Sequence, residues 1–275
     1  MFIKFYGTRG SIPLSDKEFT DFGGNTTCVL ISGLDEGLES IIMDAGTGIR
    51  KLGKEILSGE LDVGNRINLG FTHFHWDHIQ GFPFFDPAYN SSSRIRIATM
   101  GKKNVYNLKD IFSTQMQSVY FPVQLDRMGA QMEFIKYDTY ELIAETGVMV
   151  SVVDVSHPGG CIAVRLQFKF NSVAFCTDLE HPAGIDEKVV KLVSNVDLLI
   201  HDAQYTDEEL ETHKGWGHSS YSQAIEVAER ANVKNLILTH HDPDHDDSFL
   251  KKMEKKCQER FKNLILARDG YELRI

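Results

Sequence analysis

Residues 67–81 read INLGFTHFHWDHIQG, and they restrict the fold more than any other stretch of the chain. A short apolar run with strand character, 67–71, leads without a break into His73, His75, Asp77 and His78. The whole chain has only eleven histidines in 275 residues, so three of them and an aspartate within six positions need an explanation. One histidine at a strand end is ordinarily a hydrogen-bonded polar residue. Four such donors together are what borderline cations such as Zn²⁺, Mn²⁺ or Fe prefer. The chain must therefore fold so that the end of a strand becomes a metal-binding edge.

Other strand-like runs end in the same residue types. VVDVSHPGG ends in His157, VAFCTD in Asp178 and NLILTH in His240. Taken singly, each could be a turn or a cap. With the first cluster they make seven donors at C-terminal strand ends, where α/β architectures gather their sites. Runs rich in Val, Ile and Phe, bounded by Gly, Asn and Asp, dominate the first two thirds and read as strands. In SFLKKMEKKCQERF, Phe249, Met253, Cys257 and Phe261 recur every four positions, which predicts a helix capped by Asp247 or Ser248. SSYSQAIEVAERANV predicts another, capped by Ser219 or Ser220. Strands first and βαβ-like units later suggest two packed sheets with helices outside, in one domain over 1–275.

Composition narrows the partners. The chain is 42% apolar and 25% charged, as ordinary globular proteins are, and has no apolar run long enough to span a bilayer. MFIKFYGTRGSIP lacks the basic leader and apolar core of a signal peptide. Cys28, Cys161, Cys176 and Cys257 are scattered without CxxC spacing, which fits a reducing cytoplasm and argues against a zinc knuckle. The net charge of −10 argues against a long nucleic acid and for a small substrate.

THFHWDH resembles the T-H-x-H-x-D-H signature of the metallo-β-lactamase superfamily, and the similarity runs in order along the chain. DAG at 44–46 comes first, then the signature at 72–78, then His157, Asp178 and His240. The resemblance implies a four-layer αββα sandwich with two divalent metal ions, zinc foremost and manganese or iron as alternatives. It implies that His73, His75 and His157 hold one metal and Asp77, His78 and His240 the other, with Asp178 shared. The best-known class B lactamases carry Cys at the bridging position and lack the last histidine of the signature. Asp178 and His78 therefore make β-lactam hydrolysis a minor expectation.

HDAQYTDEE at 201–209 and GWGHSS at 215–220 are similar to elements of the phosphodiesterase branch, which includes tRNase Z and the phosphoribosyl cyclic phosphodiesterases. The opening FYGTRGSIP is similar to that branch's first strand and loop. The resemblance makes His218 a proton donor to the leaving group, Asp202 the carboxylate that orients it, and Asp77 a catalytic residue beside the water. It also allows a homodimer. The chain shows no long Gly/Pro-rich insertion of the tRNase Z kind and no extra Cys/His zinc site. The expectation is a phosphodiesterase acting on a small cyclic nucleotide or cyclic phosphate. The alternatives are an RNA-processing endonuclease, a glyoxalase-like thioester or lactone hydrolase, and a degenerate fold that only binds.

The remaining candidates have plainer readings. His241 and His245 lie in HHDPDHDD, whose Asp-Pro-Asp is expected to turn the chain and cap the next helix rather than form a second metal loop; His181 and His213 are expected to lie at the surface or in loops, and Cys176 in the core. His201 is either polar support or incidental. Arg9 either meets a phosphate or pairs with an acidic neighbour. Tyr120 and Phe121, beside Pro122, either stack on a base as a lid or simply pack.

Overall fold

The computed structural model describes residues 1–33, 40–64, 66–101, 107–144 and 147–275. The first sheet contains β1 (Phe2–Gly7), β2 (Cys28–Ser32), β3 (Ile41–Met43), β4 (Ile67–Gly70), β5 (Arg94–Met100) and β6 (Gln131–Tyr137). The second contains β7 (Glu141–Ile143), β8 (Met149–Val155), β9 (Cys161–Gln167), β10 (Ser172–Cys176), β11 (Leu198–Asp202), β12 (Leu236–Thr239) and β13 (Leu264–Leu266). The chain then returns to the first sheet, where β14 (Glu272–Arg274) pairs with β1. The orders are β14-β1-β2-β3-β4-β5-β6 and β13-β12-β11-β10-β9-β8-β7.

Each sheet is antiparallel in one half and parallel in the other. Strands β3 to β6 run parallel in the first sheet, and β10 to β13 in the second. Parallel strands deliver their C-terminal ends to the same edge, which is why sequence-distant strand ends meet in one site.

The period-2 alternation of side chains decides the layers. On β2, Val29 and Ile31 point into the core between the sheets, while Cys28 and Leu30 point out to helices. On β10, Val173 and Phe175 face inward, and Ala174 and Cys176 outward. Both faces are covered, so these strands read as continuous apolar runs. The first sheet's outer face packs on α1 (Ile49–Ser58) and α3 (Leu108–Gln115), through Ile49, Leu52, Leu108 and Phe112. The second packs on α4 (Glu187–Leu192), α6 (Tyr221–Arg230) and α7 (Asp247–Arg260). The layers are therefore helix, sheet, sheet, helix, as the resemblance implied. Two short helices, α2 (Trp76–Ile79) and α5 (Asp207–Thr212), lie beside the site.

Local chemistry explains the boundaries. Ser220 caps α6 in a reciprocal capping box with Gln223, as expected. The cap of α7 is Asp246, not Asp247 or Ser248: its side chain accepts from the Phe249 amide. Asp247 instead turns inward and accepts from the amides of Asp21 and Phe22, tying the N-terminal loop to α7. All four cysteines are buried thiols. Among the described residues, no helix is long and apolar enough to cross a membrane.

Candidate metal centre

The 72–78 segment is shaped by Asp44, which follows β3. One Asp44 oxygen accepts the Thr72 amide at 2.9 Å, and the other accepts the Thr72 hydroxyl and His78 Nδ1, each at 2.9 Å. The chain runs extended through His75, then makes the single turn of α2. That turn carries Asp77 and His78 back toward the histidines of the extended part. Close backbone crossings allow it. Ala45 donates to the His78 carbonyl, and a Cβ on Gly46 would come within 2.5 Å of the Asp77 carbonyl oxygen. Asp44, Asp178 and His240 all take left-handed backbone, with φ of 60°, 55° and 62°. Such conformations carry a cost of order 1 kcal/mol or more, and they cluster where a strand exit is bent to serve a site.

The seven donors converge. The nitrogens of His73, His75 and His157 lie within 4.8 Å of one another, and so do donor atoms of Asp77, His78, Asp178 and His240. His157 Nε2 approaches His75 Nδ1 at 2.9 Å, and His78 Nε2 approaches His240 Nε2 at 3.3 Å. Asp178 lies between the two groups. Its Oδ2 is 3.1 Å from His78 Nε2, and its Oδ1 is 3.3 Å from His240 Nε2, 3.7 Å from His73 Nε2 and 3.8 Å from His157 Nε2. Asp77 Oδ2 lies 3.2 Å from His240 Nε2 and accepts the Ser11 amide at 2.9 Å.

Hydrogen bonds on the far side fix which ring nitrogen faces the cluster. His157 Nδ1 donates to the Gly217 carbonyl, His78 Nδ1 to Asp44 and His240 Nδ1 to the Gln204 side-chain oxygen. Each leaves Nε2 as the nitrogen aimed into the cluster. His73 Nε2 is buried and has no hydrogen-bond partner. Imidazole nitrogens and carboxylate oxygens this close together need positive charge among them, so the donor set fits divalent metal ions.

The electrostatics point the same way. Burial holds His73, His75 and His157 below the ordinary imidazole value, which keeps them in the neutral, ligating form. Burial also disfavours charge on His78 and His240. There the surrounding carboxylates, Asp178 foremost, outweigh it, raising His240 to about 9 and His78 well above its usual value. Burial opposes ionisation of Asp77 and Asp178, yet His78 and His240 hold both far below the usual carboxylate range. Positive charge is stabilised at this point of the molecule, whether protons or metal ions supply it.

Beside the cluster stands a second constellation. Asp202, at the end of β11, accepts from His218 Nδ1 at 2.9 Å, from the Ser219 amide at 2.8 Å and from the Asp178 amide at 3.2 Å. The His218 ring stacks on His240, with centroids 5.0 Å apart and planes inclined by 18°. His218 also comes within donor distance of His157 and Asp178, but its Nδ1 is committed to Asp202. The loop before it is pinned by Glu180, whose carboxylate accepts the amides of Gly215 and Gly217. Gly217 has φ of 91°, and a Cβ there would strike the His157 ring at 2.2 Å. Only glycine lets the loop reach both His157 and His218.

The structure brings all nine sequence candidates together: His73, His75, Asp77, His78, His157, Asp178, Asp202, His218 and His240. It separates the others. Arg9 is fully buried and donates to the carbonyls of Gly23, Asp242 and His245, so it locks two loops and does not face the site's solvent side. His241 and His245 are buried supports: His241 Nε2 donates to the Ala267 carbonyl, and His245 Nε2 to Glu209. His181 is buried rather than superficial. His201 is buried on the outer face of β11. Tyr120 is exposed, and Phe121 packs edge-on against Phe84. Sequence reasoning missed Asp44, Glu180 and Gln204. Only Asp44 left a signal, as an aspartate closing a strand in DAG.

Residues 40–241 match the model of a family described as the beta-lactamase superfamily domain. A ribonuclease Z of Halalkalibacterium halodurans is 35% identical, over 97% of this chain and 96% of its own length. Two solved structures share the fold. The short form of human tRNase Z superposes with a TM-score of 0.70 at 20% identity, over 100% of this chain and 99% of that one. A diphosphatase of the PhnP family does so with a TM-score of 0.71 at 17% identity, over 100% and 97%.

Proposed function

The chain belongs to the beta-lactamase superfamily and is a hydrolase of that fold, and on that premise we propose that it is a dinuclear phosphodiesterase, one domain over 1–275, acting on a small cyclic nucleotide or cyclic phosphate. The observation that carries the reading is the His218–Asp202 pair, hydrogen-bonded at 2.9 Å and stacked against the donor cluster through His240. A thioester hydrolase has no need of it, because a thiolate departs without being protonated.

His73, His75 and His157 would hold one divalent ion, Asp77, His78 and His240 the other, and Asp178 both. Zinc suits the imidazole-rich set best, with manganese or iron acceptable to the same donors. Bound there, two such ions supply Lewis-acid charge that offsets the anionic phosphodiester and activates water.

The protein's own groups do the rest. Asp77 is fixed by the Ser11 amide and presents its carboxylate to the place where water attacks. Asp202 takes the proton side of His218 Nδ1, so Nε2 is the atom that gives a proton to the departing alkoxide oxygen. General acid catalysis of this kind contributes ~10²–10⁴-fold. Asp202 orients the ring and stabilises the imidazolium that precedes the transfer, as a carboxylate does in other catalytic histidine pairs. Glu180 holds the loop that sets the height of His218 above the cluster.

Two facts favour a small substrate over RNA. The net charge of −10 offers no basic footprint for a polyanion. The match to the H. halodurans ribonuclease Z extends over 319 positions, more than the 275 residues present here, so that relative has segments this chain lacks. The relative's own name keeps an RNA-processing activity as the second reading. A panel of bis-p-nitrophenyl phosphate, cyclic nucleotides, precursor tRNA and a thioester, assayed with Zn²⁺ and Mn²⁺, separates them. Turnover of the cyclic diesters with precursor tRNA left intact is the expected result. Cleavage of tRNA with salt-sensitive binding and no activity on cyclic diesters overturns the small-substrate reading.

A further inference from the structure

We propose that Gln204 is a positioning residue that sets the tautomer of His240 and reserves Asp202 for His218; the inference rests on the metal-centre reading above. Gln204 lies two residues beyond Asp202 and is buried. Its Oε1 accepts from His240 Nδ1 at 3.0 Å, and its Nε2 donates to Asp242 Oδ2 at 3.2 Å. These contacts have one consistent assignment. The Asp242 carboxylate can only accept, so the amide must turn its NH₂ toward it. That leaves Oε1 for His240, and an amide oxygen can only accept, so the imidazole proton sits on Nδ1. Nε2 is then the nitrogen that faces Asp77, Asp178 and His78, where a metal ion can take the place of a second proton. The charge on Asp242, outside the cluster, thus selects the protonation of a ring inside it.

The relay also settles a competition. His240 Nδ1 lies 3.6 Å from Asp202 Oδ2, the oxygen that His218 Nδ1 uses at 2.9 Å. Without a partner of its own, His240 would turn its N–H toward that carboxylate and withdraw charge from His218. Gln204 keeps the two stacked rings on separate acceptors. Gly10 seals the arrangement: a Cβ there would reach the His240 ring at 2.5 Å and Gln204 Oε1 at 3.2 Å. The N-terminal loop therefore covers the bond without displacing it and keeps water from substituting for the amide.

The test uses the full chain and reads metal affinity and tautomer rather than turnover. Gln204→Leu removes the acceptor at similar volume. It should weaken the more weakly held zinc ion ~10–100-fold in chelator competition, the usual effect of losing an outer partner of a ligating histidine. Gln204→Glu alone puts two carboxylates together and should also weaken it. Gln204→Glu with Asp242→Asn exchanges donor and acceptor between these two side chains, leaves an acceptor for His240, and should restore affinity to within a few-fold of wild type. In zinc-free protein held well above pH 9, where His240 is neutral, ¹⁵N chemical shifts should show its proton on Nδ1 in wild type and in the double variant, and a mixed tautomer in Gln204→Leu. A single variant with wild-type affinity and tautomer, or a double variant no better than Gln204→Glu, overturns the proposal. Should Gln204→Leu fail to fold, the double variant against Gln204→Glu still decides. If wild-type protein holds no zinc, the metal reading fails instead, and the tautomer measurement judges Gln204 by itself.

Discussion

His78 and His240 meet Nε2 to Nε2 at 3.3 Å, while their opposite nitrogens are held by Asp44 and Gln204. With both Nδ1 atoms committed to these acceptors, both Nε2 atoms are turned toward Asp77 and Asp178, into a pocket that stabilises positive charge and that a divalent ion fills better than protons. Thorough removal of metal should therefore lower Tm and stability, and adding back zinc should restore them. An ion present at a thousandfold excess over its dissociation constant adds about 4 kcal/mol to the folded state. Calorimetry of metal-free and reloaded protein measures it, and unchanged Tm on reloading counts against the assignment.

Asp44 offers a sharper probe, because an amide can copy half of its work. In Asp44→Asn, the side-chain oxygen can still accept from Thr72, but the NH₂ must then face His78 Nδ1. That ring would be driven to carry its proton on Nε2, where a ligating lone pair is needed. The chain should fold, with metal affinity lowered ~10–100-fold. Metal analysis after dialysis against a weak chelator reads the loss directly. Full retention of two ions per chain would show that Asp44 serves only the backbone of residue 72.

How much of this could be read from the residues follows from what each contact depends on. The ligands were legible because they are rare residue types at strand ends, and because the 72–78 segment places four of them together. The layers were legible because strands covered on both faces are uniformly apolar, as at 28–31. The three-residue strands β7, β13 and β14 were not, since their pairing comes from neighbours and not from their own pattern. Glu180 and Gln204 were also invisible. Each is an ordinary polar residue whose role appears only when a loop from elsewhere in the chain folds against it. Arg9 carried a cation's ambiguity, resolved by burial: three backbone carbonyls take its Nε and Nη1, and Nη2 lies 4.0 Å from Asp247, the acidic neighbour of the second reading.

His218 should act on the leaving group and not on binding. His218→Ala should keep both metal ions and a nearly normal KM, and lower kcat by ~10²–10⁴-fold on a nucleotide substrate. With p-nitrophenolate as leaving group, which departs well unprotonated, the loss should be far smaller. Asp202→Asn should give a milder version, because it disturbs the orientation and charge of the ring without removing it. Steady-state kinetics on both substrates, with metal content determined in parallel, provides the comparison. Equal losses on both leaving groups, or a missing metal ion, would identify His218 as a ligand or a packing residue.

The last prediction concerns acid stability and lies outside the centre. Burial lowers the pKa of His181 to about 4, with His201 adding to the effect and Asp186 only partly opposing it. The ring is neutral in the native state, and its Nδ1 accepts the amide of Asp186, the N-cap of α4. Protonating Nδ1 would break that bond and leave a charge in an apolar setting. The unfolded chain binds this proton near pH 6.5 and the folded one only near 4, so between these values the unfolded state holds more protons. Stability therefore rises with pH across the window and falls as pH drops from 6.5 toward 4. One proton over that interval corresponds to about 3 kcal/mol. His181→Asn keeps an acceptor for Asp186 but cannot titrate, so its stability should depend less on pH by about that amount. Urea unfolding of the metal-free wild type and variant at pH 7 and at pH 4.5 isolates the difference, because every other group is common to both. Identical pH dependence would mean that His181 is already protonated, or freely hydrated, in the folded protein.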